Sequence, residues 1–108
     1  MTDPIATTDL SVMLPSSERR PVTLRIGRPY RAPSGEWRCP MALDGLQDKL
    51  PDAAGEDAIQ VLCLALRLLI SQLEGVVQRG GKVFYATTED QVPLEAYLQS
   101  GIPLGRPA

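Results

Sequence analysis

"GEDAIQVLCLALRLLISQLEGVVQRGG", residues 55–81, contains the longest stretch readable as a single helix in this chain. Its pattern predicts a helix from about Glu56 to Gln78, ~35 Å long at ~1.5 Å per residue. Arg79-Gly80-Gly81 supplies the stop. Asp52 and Gly55 are the candidate caps, with Glu56 and Asp57 placed in the first turn where carboxylates complement the helix dipole. At 100° per residue, Gln60, Arg67, Ser71, Glu74 and Gln78 form a narrow solvated stripe of about 60°. Leu62, Cys63, Ala65, Leu66, Leu69, Ile70, Leu73, Val76 and Val77 span about 160° on the opposite side, enough to cover a sheet. Val61, Leu64 and Leu68 are left over at i, i+3 and i+7, beside the polar stripe. Each gains about 1.5–3 kcal/mol on burial, so the stripe needs a cover. That cover is either the end of the chain, through Leu94, Tyr97 and Leu98, or a second protein chain.

Strands flank the helix on both sides. In "GEWRCPMALDGL" (35–46), Trp37, Cys39, Met41 and Leu43 alternate with Glu36, Arg38, Pro40 and Ala42, a period of two. Cys39 is therefore expected in a dry core, where a thiol is a poor nucleophile. Pro40 cannot donate a ladder hydrogen bond and belongs at an edge or a bulge. Upstream, Val22, Leu24 and Ile26 alternate cleanly, and "RAPSGE" (31–36) supplies a turn back. Leu10, Val12 and Leu14 give a weaker strand. After the helix, "KVFYAT" (82–87) reads as a fourth strand and "PLEAYLQSG" (93–101) as a short helix with Pro93 at its first position. Residues 1–8 are expected to be a disordered tail, and residues 9–108 a single domain. The resulting expectation is α+β: an antiparallel sheet of about four strands, arranged as a three-strand meander, the long helix and a fourth strand. The long helix packs on one face, and a short helix ends the fold.

Composition narrows the functional classes. The chain has 108 residues, a net charge of −2 and no His. Without His, neither a Ser-His nor a Cys-His pair can be assembled. No phosphate-binding loop, dinucleotide fingerprint or zinc-type spacing occurs, and no cofactor is expected. Asp44, Asp48 and Asp52 recur at four-residue intervals, but a calcium loop needs alternate ligands and a Glu at the twelfth position, where Gly55 stands. Cys39 and Cys63 are expected to be reduced. The N-terminus lacks the basic and apolar regions of a secretion signal, and Arg67 interrupts the longest apolar run. No membrane role is expected, and the expected location is the cytoplasm.

Charge is segregated along the chain. Arg19, Arg20, Arg25, Arg28, Arg31 and Arg38 face one acid, Glu36, in the same span, whereas Asp44, Asp48, Asp52, Glu56 and Asp57 face Lys49 alone. Two sites of different kinds follow. The first is a protein-binding surface made of Val61, Leu64, Leu68, Asp44 and Asp48. The second is an anion site made of Arg25, Arg28, Arg31 and Arg38, since Arg pairs bidentately with phosphate and carboxylate. Nucleic acid is not expected as a ligand, because Tyr30 is the sole aromatic among those arginines. An acid–base pair of Asp44 and Asp57 is the third and weakest reading.

The chain also resembles a family of short bacterial proteins carrying a domain of unknown function. The likeness lies in a W-x-C-P-x-x-L-D-G-L strand and turn (Trp37, Cys39, Pro40, Leu43, Asp44, Gly45, Leu46) followed by a D-x-[IL]-Q-x-L-x-L-A-L helix (Asp57, Ile59, Gln60, Leu62, Leu64, Ala65, Leu66). The resemblance implies a free-standing bacterial cytoplasmic domain and draws attention to Asp44 and Gln60. The expected function is non-enzymatic protein interaction, as an immunity-like protein or a homodimeric adaptor. The alternative is an anion- or nucleic-acid-binding module that uses the arginine-rich sheet face 19–38, nucleic acid being the less expected ligand.

Overall fold

The computed structural model describes residues 1, 3–47 and 49–97. The elements are β1 (Ala6–Met13), β2 (Arg19–Ile26), β3 (Tyr30–Arg31), β4 (Trp37–Cys39), β5 (Met41–Asp44), β6 (Ala53–Gly55), α1 (Ala58–Gln78), β7 (Lys82–Tyr85) and α2 (Leu94–Tyr97). The class is α+β, with antiparallel strands, one long helix and one short helix. The strands form two sheets where one was expected: a four-stranded sheet in the order β5-β2-β1-β7 and a three-stranded sheet in the order β3-β4-β6.

Pro40 divides them. The return strand read from Trp37 to Leu43 is broken there into β4, which pairs with β3 and β6, and β5, which pairs with β2. Having no N–H, Pro40 cannot continue either ladder as a donor. Its carbonyl still accepts from Gly27 N–H at 2.8 Å, which holds the corner together. At the tip of this hairpin Gly35 adopts φ 103° and donates to Ala32 O at 2.9 Å. The first strand also starts earlier than the alternation showed. Ala6, Thr7 and Thr8, assigned to the tail, pair with Ile26, Arg25 and Leu24. Main-chain hydrogen bonds hold these residues, which need no apolar pattern.

One face of the larger sheet carries Leu10, Val12, Val22, Ile26, Met41, Leu43 and Val83, all buried. Against it α1 buries Val61, Ala65, Leu69, Ile70, Leu73 and Val76. Asp57, rather than Asp52 or Gly55, caps the helix: its Oδ1 accepts from Gln60 N–H at 2.8 Å. Gln60 Oε1 in turn accepts from Glu56 N–H at 2.6 Å, so two otherwise orphaned donors are satisfied. At the other end Gly80 N–H donates to Val77 O and Gly81 N–H to Val76 O, with Gly80 at φ 101°, a Schellman stop. By length and composition α1 is apolar enough to span a bilayer despite Arg67. Here it serves as the core helix.

α2 begins after Pro93, and its buried Leu94 reaches the core. The Tyr97 and Tyr85 hydroxyls share a hydrogen bond at 2.7 Å. The expected continuation through Leu98 to Gly101 lies outside the described residues.

Candidate functional site

The stripe read as a partner surface comes apart in the fold. Val61 is fully buried, Leu64 is half-buried against the core, and of the three only Leu68 stays largely exposed, at 39%. The buried arc of α1 is rotated by roughly 30° toward Val61 relative to the expectation, at 100° per residue. The cause is the second sheet. β6 is built from Ala53, Ala54 and Gly55, too plain a sequence to read as a strand, yet it packs against the start of α1. Gly55 permits that approach, since a Cβ there would meet Gln60 Oε1 and, at 3.1 Å, Val61 Cγ1. Neither α2 nor a second chain is needed to cover Val61.

On the far flank of the helix a row of apolar residues is buried in its middle, at Ile70 and Leu73, and exposed towards its ends. Ile59, Cys63, Leu66, Ile70, Leu73 and Val77 follow one another at alternating four- and three-residue steps, the spacing of a helix–helix seam. Ile59 is 69% exposed, Cys63 is exposed, and Val77 is 39% exposed. Cys63 and Val77 were assigned to the core arc; they flank it instead. Beside the middle of this seam lies a cleft of about 230 Å³, walled by Leu66, Ile70 and Leu73 of α1, by Leu24 and Ile26 of β2, and by Tyr97. The seam was present in the sequence as a regular spacing. It was masked because the same helix is apolar around most of its circumference.

The acidic residues of the expected surface are engaged within the chain. Asp44 takes Arg25 in a two-point contact, with Nε 2.6 Å from Oδ2 and Nη2 donating to Oδ1 at 3.2 Å. Asp52 accepts from the Tyr30 hydroxyl at 2.5 Å, and Asp57 is the helix cap. Asp48 lies outside the described residues. Asp44 and Asp57 have separate structural duties: Asp44 pairs with Arg25, and Asp57 caps α1.

The four arginines of the anion reading do not share one set of surroundings. Arg25 is paired with Asp44 on the outer face of the larger sheet, where Thr23 also donates to Asp9 at 3.1 Å. In the hairpin, Arg38 Nε donates to Glu36 Oε2 at 2.9 Å, and Arg31 Nε donates to Gly35 O at 3.2 Å. Hydrogen bonds from Ser34 and Arg38 bring the Glu36 carboxyl down to about 2. Arg28 is exposed and has no ion pair among the described residues. Cys39 is fully buried, and burial pushes its thiol above the ordinary value.

A family model described as a domain of unknown function (DUF6968) matches residues 6–95. The chain belongs to the DUF6968 family. No curated protein and no solved structure matches it. Both segments that carried the resemblance lie inside the match, and in this DUF6968 chain their polar residues have structural duties. Asp44 pairs with Arg25, and Gly45 takes φ 96° in the turn with Pro21 O against the place of its missing Cβ. Asp57 and Gln60 start α1, and Pro40 separates the sheets.

Proposed function

We propose that this DUF6968 domain acts by binding another protein rather than by catalysis, and that it docks through the α1 seam and the adjoining cleft. The observation that carries this reading is the seam itself: Ile59, Cys63 and Val77 lie open to solvent on either side of an apolar cleft. Exposed apolar side chains towards both ends of a helix row, beside an apolar hollow, mark a docking surface. Each aliphatic side chain covered there adds about 1.5–3 kcal/mol. A partner protein or a second copy of the chain can supply the cover, which keeps the immunity-like and homodimeric roles within the same reading. Less supports the arginine face, because Arg25 and Arg38 already have carboxylate partners that an incoming anion would have to displace.

The test is capture of partners from the source cells by the tagged full-length chain and by an Ile59→Asp/Cys63→Asp variant, with light scattering on both proteins. Ile59 and Cys63 are exposed, so the variant should retain the parent's circular dichroism spectrum. The expected result is a stoichiometric partner, or a dimer, that is lost with the variant. A monomeric protein that captures nothing, or a partner retained undiminished by the variant, would refute the reading.

A further inference from the structure

On the other side of Val92 and Leu94, which line both, lies a second hollow of about 240 Å³ bordered by Glu74, Val77 and Glu95. The two neighbouring hollows lie along the C-terminal half of α1, the first lined by apolar side chains and the second flanked by carboxylates, and together they are treated as one trough. Glu74 and Glu95 are the only charged side chains lining either hollow among the described residues. The ion pairs among those residues occupy other carboxylates: Glu18, Glu36, Asp44 and Glu89. Glu74 and Glu95 therefore present negative charge beside an apolar cleft, and neither is in an ion pair among the described residues.

Resting on the docking role proposed above, we infer that the trough takes a basic amphipathic helix of a partner protein. Its aliphatic side chains enter between Leu66, Ile70 and Tyr97, and its Lys or Arg residues reach Glu74 and Glu95. The seam spacing on α1 suits a helix lying alongside, whose apolar residues recur at the same three- and four-residue steps. The carboxylates select the charge of that helix, because an acidic segment would be repelled at the same place.

The test uses two labelled synthetic peptides with identical Leu positions, one Leu/Lys and one Leu/Glu, titrated by fluorescence polarisation against the full-length chain. The Leu/Lys peptide is expected to bind and to weaken as salt rises, whereas the Leu/Glu peptide should not bind. Glu74→Lys/Glu95→Lys should weaken the Leu/Lys peptide by about tenfold or more, the loss of one or two charge contacts. Glu18→Lys/Glu89→Lys changes net charge equally at exposed ion pairs away from the trough and should leave binding within about twofold, since such pairs contribute little. Equal loss in both variants would mean bulk attraction and overturn the proposal, as would no binding at all. Binding of the Leu/Glu peptide would overturn the choice of partner while leaving protein docking intact. Binding that emerges only in an Ile102→Asp/Leu104→Asp chain would make the protein's own C-terminal segment the occupant, and the proposal would fail.

Discussion

Single residues show where the backbone has no alternative. Gly35 and Gly45 both adopt positive φ, but Gly35 faces open space while Gly45 faces the carbonyl of Pro21. Gly35→Ala should therefore cost only the strain of a left-handed alanine, about 1–2 kcal/mol. Gly45→Ala adds a clash with backbone that cannot step aside, and chemical denaturation should show a clearly larger loss. Similar losses at both positions would contradict the turn geometry. Glu36 gives a residue-scale pH effect. Its folded carboxyl titrates at about 2, below the ordinary 4.5, because Ser34 and Arg38 donate to the charged form. The stability it contributes is present above 4.5 and is lost as pH falls through about 2. An NMR titration placing Glu36 at an ordinary carboxylate value would rule out this hydrogen-bonded arrangement.

At the scale of elements, the helix and the clean alternation of β2 were legible because each repeats one period over many residues. The polar stripe Gln60, Arg67, Ser71, Glu74 and Gln78 is exposed throughout, as its spacing implied. What the sequence concealed were elements held by contacts rather than pattern. β6 is Ala-Ala-Gly, the start of β1 is polar, and the cap at Asp57 competed with Asp52 and Gly55 for the same role. Missing β6 displaced Val61 from the core and hid the seam on the opposite flank. The cap predicts that Asp57→Ala loses about 1 kcal/mol in a denaturation midpoint. Gln60→Ala should also destabilise the helix start, by leaving Glu56 N–H without its partner. α2 is tied to β7 through Tyr97 and Tyr85, and that hydrogen bond raises the Tyr97 phenol to about 12. The contribution is present below the ordinary value of 10 and is lost as pH climbs toward 12, so α2 should detach there before the core unfolds. Simultaneous loss of α2 and core signals in an alkaline NMR series would count against this.

For the whole molecule, the two sheets and α1 leave the chain with opposite characters on its two sides. The outer sheet face carries paired charges, whereas the helix side carries an apolar cleft and, next to it, a hollow bordered by Glu74 and Glu95. Val61 and Ile59 lie only two residues apart yet belong to different worlds, the first fully buried and the second 69% exposed. Val61→Asp should leave the chain unfolded, since it buries an unpaired charge, whereas Ile59→Asp should change stability by no more than about 0.5 kcal/mol. The orientation of α1 decides which side chains a partner can reach, and the chain's two cysteines, Cys39 in β4 and Cys63 in α1, report on it. Native, full-length protein treated with a small maleimide and mapped by mass spectrometry should be modified at Cys63 alone, with Cys39 protected until denaturant is added. Protection of Cys63 in the free protein, or labelling of Cys39 alongside it, would contradict the outward seam.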